Sequence, residues 1–85
     1  MGPAGGSGGA TCTLGSLMLS AAVVYPTNYL PADGRSLLIS DNTALFSLMG
    51  VNYGGNGSTT FALPNLTAAA PNDTQYLICV SGVFP

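Results

Sequence analysis

The sequence predicts a mainly β domain, a small α+β fold with short strands, one short helix and an extended glycine-rich N-terminal arm. Short apolar runs rich in β-branched and aromatic residues alternate with clusters of Gly, Pro, Asn and Asp, as in strands joined by turns. One segment, residues 41–49, has an apolar stripe at helical spacing. The length of 85 residues allows one domain. We divide the chain into an arm, residues 1–13, and a domain, residues 14–85.

The arm is marked by a glycine repeat. Gly2, Gly5 and Gly8 recur at three-residue spacing, but so few triplets cannot hold a collagen-like triple helix. A flexible linker and an expression scar are the alternatives. Because the arm has no apolar stripe to bury, it cannot fold alone. We expect residues 2–13 to run along a neighbouring subunit, with Cys12 close to that subunit's surface.

Residues 14–25 predict the first strand. Leu17 and Leu19 fall on one face and Met18 on the other, and Pro26 ends the strand.

Residues 29–39 predict a hairpin. Pro31, Asp33 and Gly34 preset a turn and tolerate positive φ. The short strands on either side are Tyr29-Leu30 and Leu37-Leu38-Ile39.

Residues 41–49 predict the helix. We expect Ser40 or Asp41 to cap its first turn by accepting hydrogen bonds from free N–H groups, and a carboxylate at Asp41 suits the positive end of the helix dipole. Gly50 is expected to end the helix with a left-handed residue. The predicted apolar stripe consists of Ala44, Leu45 and Leu48.

A glycine-rich loop, residues 53–57, follows the helix. It is not a phosphate-binding P-loop, because that motif requires a Lys and the chain has none. A dinucleotide fingerprint places a helix after the loop, whereas here the helix precedes it. We therefore interpret the loop as a structural corner, in which at least one of Gly54, Gly55 and Gly57 has positive φ.

The rest of the chain is predicted to be extended. Residues 60–63 form a strand whose exit is fixed by Pro64. Residues 75–80 form an apolar last strand. Because no charged tail follows it, we expect its edge to be open to pairing.

The charge content excludes several functions. Charged side chains make up 5% of the chain, and hydrophobic residues make up 47%. One Arg and no Lys cannot neutralise a phosphate backbone, so we expect no nucleic-acid partner. No apolar run approaches the roughly 20 residues of a membrane span. A surface so poor in charge favours association, which predicts a homo-oligomer.

Catalysis and metal binding lack their usual residues. The chain has no His and no Glu, which removes the usual general base and the commonest metal ligand. We expect no enzymatic activity, no metal and no cofactor.

Cys12 and Cys79 lie near opposite ends of the chain. A disulfide within the chain would restrain most of it, and a bridge between chains would staple neighbouring subunits. Two free buried thiols are the third alternative. The hypothesis for the arm favours a bridge from Cys12 to Cys79 of a neighbouring subunit.

The central segment resembles a known family. DGRSLLISDNTALFSLMGVNYGGNGSTTFALPNL, residues 33–66, is similar to the phage tail collar domain of phage short tail fibres and of bacterial proteins of the microcystin-dependent type. The shared parts are the DG turn, the ALFSLMG helix, the YGGNG loop and the TFALPNL exit. The GSLML opening and the YLICVSGVFP ending extend the resemblance over nearly everything from residue 14 onward.

The resemblance implies a compact tail-collar-like fold with a structural role, because family members are associated with trimeric fibre tips and surface attachment. Ala32 stands where the family usually has Cys, and Tyr29 stands near its usual Trp. The family's long His-containing insertion, which in some fibres carries metal ligands and receptor contacts, is reduced to residues 67–74. What the resemblance implies here is the scaffold.

The chain has three sequons, which begin at Asn56, Asn65 and Asn72. They matter only where the host glycosylates exported proteins. Asn65 lies inside the collar motif and is expected to stay unmodified. Asn72 is the better candidate because it lies in a predicted loop, and Asn56 is the second.

We expect a structural subunit of an extracellular or virion-associated fibre that self-assembles through its N-terminal arm and apolar edges. The alternative is a trimeric adhesin domain of the tail-fibre type that binds a cell-surface glycan. The resemblance favours a closed trimer, whereas the poverty of charge favours a filament. The sequence shows no basic n-region of a secretory signal. The chain is therefore expected to be mature already or to leave the cell by lysis or phage-like assembly.

Overall fold

A computed structural model describes residues 12–85, which form two small antiparallel sheets and one short α-helix. This confirms the predicted mainly β fold. A 3₁₀ turn, Ile39–Asp41, leads into the helix. In chain order the elements are β1 (Leu17–Ser20), β2 (Tyr29–Pro31), β3 (Ser36–Leu38), α1 (Thr43–Met49), β4 (Thr60–Ala62) and β5 (Gln75–Cys79).

The first sheet has the strand order β1-β5-β2. Ile78 of β5 lies opposite Leu17 on one side and Leu30 on the other. The expectation that the last strand offers an open edge is therefore wrong. β5 is the central strand, and β1 and β2 are the edges.

The second sheet pairs β3 with β4. The predicted hairpin over residues 29–39 is wrong, because β2 and β3 belong to different sheets. After β2 the chain makes a corner, at which Gly34 has φ +84° and donates its N–H to the Pro64 carbonyl at 3.2 Å. A bridge between Asp33 and Asn65 joins this corner to the segment after β4.

The core lies between the two sheets and the helix. The Phe46 and Phe61 rings, from α1 and β4, have centroids 5.4 Å apart and tilt by 59°, a separation within the range that aromatic pairs favour. The buried cluster consists of Leu14, Ala32, Leu45, Phe61, Leu63 and Ile78.

The helix differs from its prediction in its cap and in its buried face. The N-cap residue is Asn42, and it makes no side-chain capping bond; its side-chain N–H donates to the Leu38 carbonyl instead. Neither Ser40 nor Asp41 caps α1, because the 3₁₀ turn places both of them before it. Gly50 ends the helix with φ +57°.

The face that α1 turns to the core is formed by Leu45, Phe46 and Met49. Ala44 and Leu48 of the predicted stripe are exposed. The stripe shares Leu45 with the buried face but otherwise lies beside it. The observed face carries the larger apolar side chains, so it buries more apolar surface.

The first strand is shorter than residues 14–25. Before it, Ser16 N–H donates to the Thr13 carbonyl across a turn in which Gly15 has φ +83°. After it, the Ser20 hydroxyl accepts the Ala22 N–H at 3.1 Å, a local bond that competes with strand pairing. The following valines, Val23 and Val24, lie beyond the end of β1 and are 94% and 72% exposed.

Candidate functional site

The glycine-rich loop covers the outer edge of β4. In an antiparallel pair every second residue turns its backbone groups away from the partner strand, and on β4 these residues are Thr60 and Ala62. Ala62 N–H donates to the Gly54 carbonyl at 3.0 Å, and the Thr60 carbonyl accepts the Gly57 N–H at 3.0 Å. The loop therefore takes the place of a further strand.

The glycines allow the loop to lie flat on β4. Gly54, Gly55 and Gly57 have φ of +127°, +98° and +76°, a region that side chains disfavour. A Cβ on Gly55 would also lie 2.6 Å from the Thr60 carbonyl oxygen and overlap the Phe61 backbone. The predicted corner is thus a structural element that closes an edge.

The side chain of Asn56 stabilises the loop through hydrogen bonds to the residues that follow it. Its side-chain oxygen accepts the N–H groups of Ser58 at 2.8 Å, Thr59 at 2.8 Å and Thr60 at 3.1 Å. Its side-chain nitrogen donates to the Thr59 hydroxyl at 3.0 Å. Sequence reasoning considered Asn56 only as a glycosylation candidate. An Asn followed by Ser and Thr hydroxyls, a pattern typical of local side-chain-to-backbone bonding, was the available signal.

The outer edge of β2 is protected from pairing with a further strand by its own residues. Its outward-facing residues are Tyr29 and Pro31, because the ladder bonds flank them at Asn28–Val80 and Ala32–Tyr76. Tyr29 N–H already donates to the Pro26 carbonyl at 3.2 Å, and Pro31 has no N–H. This edge can accept hydrogen bonds but has no donor left for a further strand.

β3 is protected by charge and by a side chain. An ion pair between Arg35 and Asp33 precedes the strand directly. At its other end the Leu38 carbonyl accepts the Asn42 side-chain N–H at 2.9 Å. Charged and capped edges of this kind resist pairing with another chain.

β1 has none of these protections. Cys79 N–H donates to the Ser16 carbonyl at 2.9 Å, so alternation turns the N–H and C=O groups of Leu17 and Leu19 away from β5. Within residues 12–85 the backbone N–H and C=O groups of these two leucines have no hydrogen-bond partner. Their side chains are 50% and 44% exposed.

Cys12 and Cys79 form a disulfide within the chain, with Cα atoms 6.1 Å apart. A bridge from Cys12 to a neighbouring subunit, as the arm hypothesis expected, is not what the structure has. Cys79 is fully buried in the central strand. The bond therefore ties the start of the described chain to the middle of the first sheet.

Backbone contacts reinforce this tie. Thr13 and Val83 form a parallel bridge, Leu14 N–H donates to the Val83 carbonyl at 2.8 Å, and Val83 N–H donates to the Cys12 carbonyl at 2.7 Å. Residues 12 and 13, assigned to the arm by sequence, thus pack on their own subunit. The remainder of the arm, residues 1–11, lies outside the described residues.

Gly82 makes the close approach between the two ends possible. A Cβ there would overlap the Cys12 carbonyl and come within 2.8 Å of the Cys79 sulfur. In the sequence Gly82 is simply a glycine that follows the last predicted strand. The requirement arises from a contact with a residue far away in sequence, so no local pattern could indicate it.

A groove of about 230 Å³ opens between the end of β2 and the start of β5. Tyr25 and Tyr76 supply aromatic surface, and Asp33, Thr74 and Gln75 supply polar groups. Gln75 donates its side-chain N–H to the Ala22 carbonyl at 3.3 Å and the Thr74 hydroxyl donates to the Pro71 carbonyl. Their oxygens therefore offer acceptors, and the groove suits a ligand rich in donors.

The charges at the rim of this groove neutralise one another. Arg35 donates to both carboxylate oxygens of Asp33 at 3.0 Å. The Arg35 hydrogen bond lowers the pKa of the Asp33 carboxyl below its ordinary value of 3.8, and Asp33 in turn raises the pKa of Arg35. Because the two charges are opposite and paired, they leave little net charge at the rim to attract an ionic ligand.

The remaining sequence-predicted residues lie apart from one another. Pro64 is buried after β4, where its carbonyl accepts the Gly34 N–H. Asn72 lies in an exposed turn with φ +50°. The structure brings Cys12 together with Cys79 and gathers the loop glycines on β4, and it places Asn72 with neither group.

In the part of the chain that the structure describes, no three His, Cys, Asp or Glu side chains are grouped to hold a metal ion. No helix between residues 12 and 85 is both long and apolar enough to cross a membrane.

A family model described as the Phage Tail Collar Domain matches residues 15–71, which is more than half of the chain. The match begins just before β1 and ends in the turn that precedes β5. No curated protein and no solved structure is significantly similar to the chain.

Proposed function

The chain belongs to the phage tail collar domain family, and we propose that it is a non-enzymatic structural subunit of an extracellular or virion-associated fibre that self-assembles through its N-terminal arm and an apolar edge. Membership of this family indicates a structural role in a phage tail. The finer statement, self-assembly, is supported by the character of the surface.

One observation carries the proposal: many large apolar side chains are exposed on a domain with almost no charge. Monomeric soluble proteins rarely leave contiguous apolar surface uncovered, and a net charge of −2 does little to keep copies apart. The exposed side chains are Leu17, Leu19, Val23, Val24, Tyr25, Leu38, Leu48, Val51, Tyr53, Val83 and Phe84.

Light scattering and negative-stain microscopy at micromolar concentration test this proposal. We expect an oligomer, and microscopy separates filaments from closed trimers. A soluble, folded particle with the mass of one chain would contradict the proposal.

Deleting residues 2–11 tests the contribution of the arm. The deletion stops before Cys12, because Cys12 and Thr13 belong structurally to the domain. We expect weaker assembly with unchanged circular dichroism and thermal unfolding. Assembly equal to that of the full chain would remove the arm from the proposal.

A second candidate function, binding of a cell-surface glycan, is favoured by the tyrosine groove alone. Pyranose rings pack their C–H faces against aromatic rings, whose faces carry negative charge density. The acceptors of Asp33, Thr74 and Gln75 suit hydroxyl donors. The paired charges favour a neutral sugar over an ionic one.

Chemical-shift perturbation with methyl glycosides of glucose, galactose, mannose and N-acetylglucosamine tests this candidate. We expect shifts confined to the groove in the wild type and lost in Tyr25→Ala. Tyr53→Ala is the matched control, because Tyr53 is an exposed tyrosine outside the groove. No shift with any glycoside, or equal shifts in both variants, would reject the glycan.

A further inference from the structure

We infer that two copies of the chain pair through their β1 strands, antiparallel and related by a twofold axis, so that their first sheets become continuous. The inference rests on the proposed self-assembly and names its surface, its partner and its symmetry.

The edge of β1 presents what a further strand requires. The N–H and C=O groups of Leu17 and Leu19 point away from β5, and no hydrogen bond formed between residues 12 and 85 covers them. Proteins usually blunt such an edge with charge, proline or a cover. The segment of residues 12–32 has no charged side chain, and two copies therefore meet there without like-charge repulsion.

The other edges exclude head-to-tail growth of the sheet. Pairing β1 with β2 of another copy would face a strand that has no available donor, because Tyr29 N–H is bonded to Pro26 and Pro31 has none. In the second sheet β4 is covered by the glycine-rich loop, and on β3 the Leu38 carbonyl already accepts the Asn42 side-chain N–H. Of the two edges of the first sheet, the one that complements β1 in both donors and acceptors is therefore another β1.

The sequence of β1 also determines the register in which the β1 strands of two copies pair. With Met18 opposite Met18 of the second copy, Leu17 lies opposite Leu19 of that copy, and the reverse holds by symmetry. These pairs exchange backbone N–H···O=C bonds, as paired residues in an antiparallel ladder do. The half-exposed leucines of both copies then meet on one face. Such a contact uses the same patch on both subunits, which a twofold axis requires.

The glycine-rich arm of another copy is a poorer occupant of this edge. Glycine weakens a strand and has no side chain to cover Leu17 and Leu19. The twofold contact leaves the arm available for a second interface, and the combination generates an open filament where its rotations do not close.

Charge complementation tests the register. The variants are Leu17→Lys/Leu19→Lys and Leu17→Lys/Leu19→Glu, which remove the same two leucines. In the proposed register the first places lysines opposite lysines, and the second places lysines opposite glutamates. Leu38→Lys is the control, because Leu38 is 52% exposed but belongs to the second sheet. Sedimentation velocity measures association, and circular dichroism with a thiol assay checks the fold.

We expect even-numbered oligomers for the wild type, the control and the lysine/glutamate variant. The lysine/lysine variant should associate at least about tenfold more weakly than the lysine/glutamate variant. Equal behaviour of the two double variants, or closed trimers of the wild type, overturns the twofold pairing and leaves self-assembly standing. A monomeric wild type overturns both the pairing and the proposed self-assembly.

Discussion

Gly55 lies against Phe61 so closely that a Cβ on Gly55 would overlap the Phe61 Cα. This contact explains why the glycine-rich signature follows the helix and precedes β4. The loop turns back and seals the strand that comes next in the chain, and it can do so only where side chains are absent. The closing of this edge therefore explains the glycine-rich signature.

The first prediction concerns Gly55→Ala. The substitution should destabilise the domain more than Gly57→Ala, its matched control in the same loop. Both share the cost of a side chain at positive φ, about 1–2 kcal/mol. At Gly57 the new methyl group meets only Val51 at 3.4 Å, whereas at Gly55 it meets backbone. Overpacking should add about 1–3 kcal/mol at Gly55. Urea unfolding measures the difference, and equal losses would refute the close contact.

The second prediction concerns reduction of the disulfide. Cys12 and Cys79 are separated by 67 residues, so a chain-entropy estimate gives a loss of about 4 kcal/mol on reduction. A small domain has only about 5–15 kcal/mol of stability, and we expect a large drop in Tm with reductant. On a non-reducing gel the band should remain that of a monomer. A covalent ladder that disappears on reduction would show bridges between chains instead.

The third prediction concerns Gly82→Ala. The φ of Gly82 is not positive, so the backbone tolerates a side chain and any loss is steric. The methyl group would strike the Cys12 backbone and the Cys79 sulfur. We expect slower disulfide formation in a glutathione buffer and a loss of about 1–3 kcal/mol in unfolding free energy. Ser81→Ala, at the exposed neighbouring position, is the control. Normal oxidation of Gly82→Ala would contradict the tight approach.

These contacts show where sequence reasoning succeeds. The helix, the loop corner and the final strands are specified by short-range signals: apolar spacing, glycine runs and prolines. Gly50 and Gly54 act where the sequence predicts them, because the need for positive φ is a property of the local chain.

The predictions of strand pairing were wrong where contacts between segments distant in sequence determine which strands pair. The sequence of residues 29–39 has all the residues of a hairpin, yet β2 pairs with β5 and β3 with β4. The last strand was expected at an edge, but β1 and β2 enclose it. Which strands become neighbours depends on the packing of the whole core. The open edge of β1 and the role of Gly82 emerge only from that arrangement.

The fourth prediction concerns pH. The Arg35 hydrogen bond lowers the pKa of Asp33 in the folded chain. The contribution of this ion pair to the free energy of unfolding is therefore fully present above the ordinary pKa of 3.8. It is lost as the pH falls through the lowered pKa of the folded chain. Asp33→Asn keeps the local acceptor for Arg35 N–H but removes the charge. It should be less stable than the wild type by up to about 1 kcal/mol near neutral pH and equal to it in strong acid.

The control for pH is Asp73→Asn, because Asp73 forms no ion pair among residues 12–85. The difference in unfolding free energy between Asp73→Asn and the wild type should not follow the pH dependence that we expect for Asp33→Asn. Unfolding curves for Asp33→Asn and the wild type that differ equally at all pH values would show that the ion pair contributes nothing.

The fifth prediction concerns Asn56, whose side-chain oxygen accepts the N–H of Thr60, an outward-facing donor of β4. Asn56→Ala removes this acceptor together with those for Ser58 and Thr59, and should cost about 1–3 kcal/mol. Asn56→Asp keeps the acceptor and should retain most of the stability. Hydrogen exchange locates the effect: Thr60 and Ala62 N–H should exchange faster in Asn56→Ala and at close to the wild-type rate in Asn56→Asp.

Asn52→Ala is the control, because the Asn52 side chain makes no hydrogen bond within the described part of the chain. If Asn56→Asp exchanges as fast as Asn56→Ala, the side-chain oxygen does not hold the loop on β4, and the glycines alone close that edge.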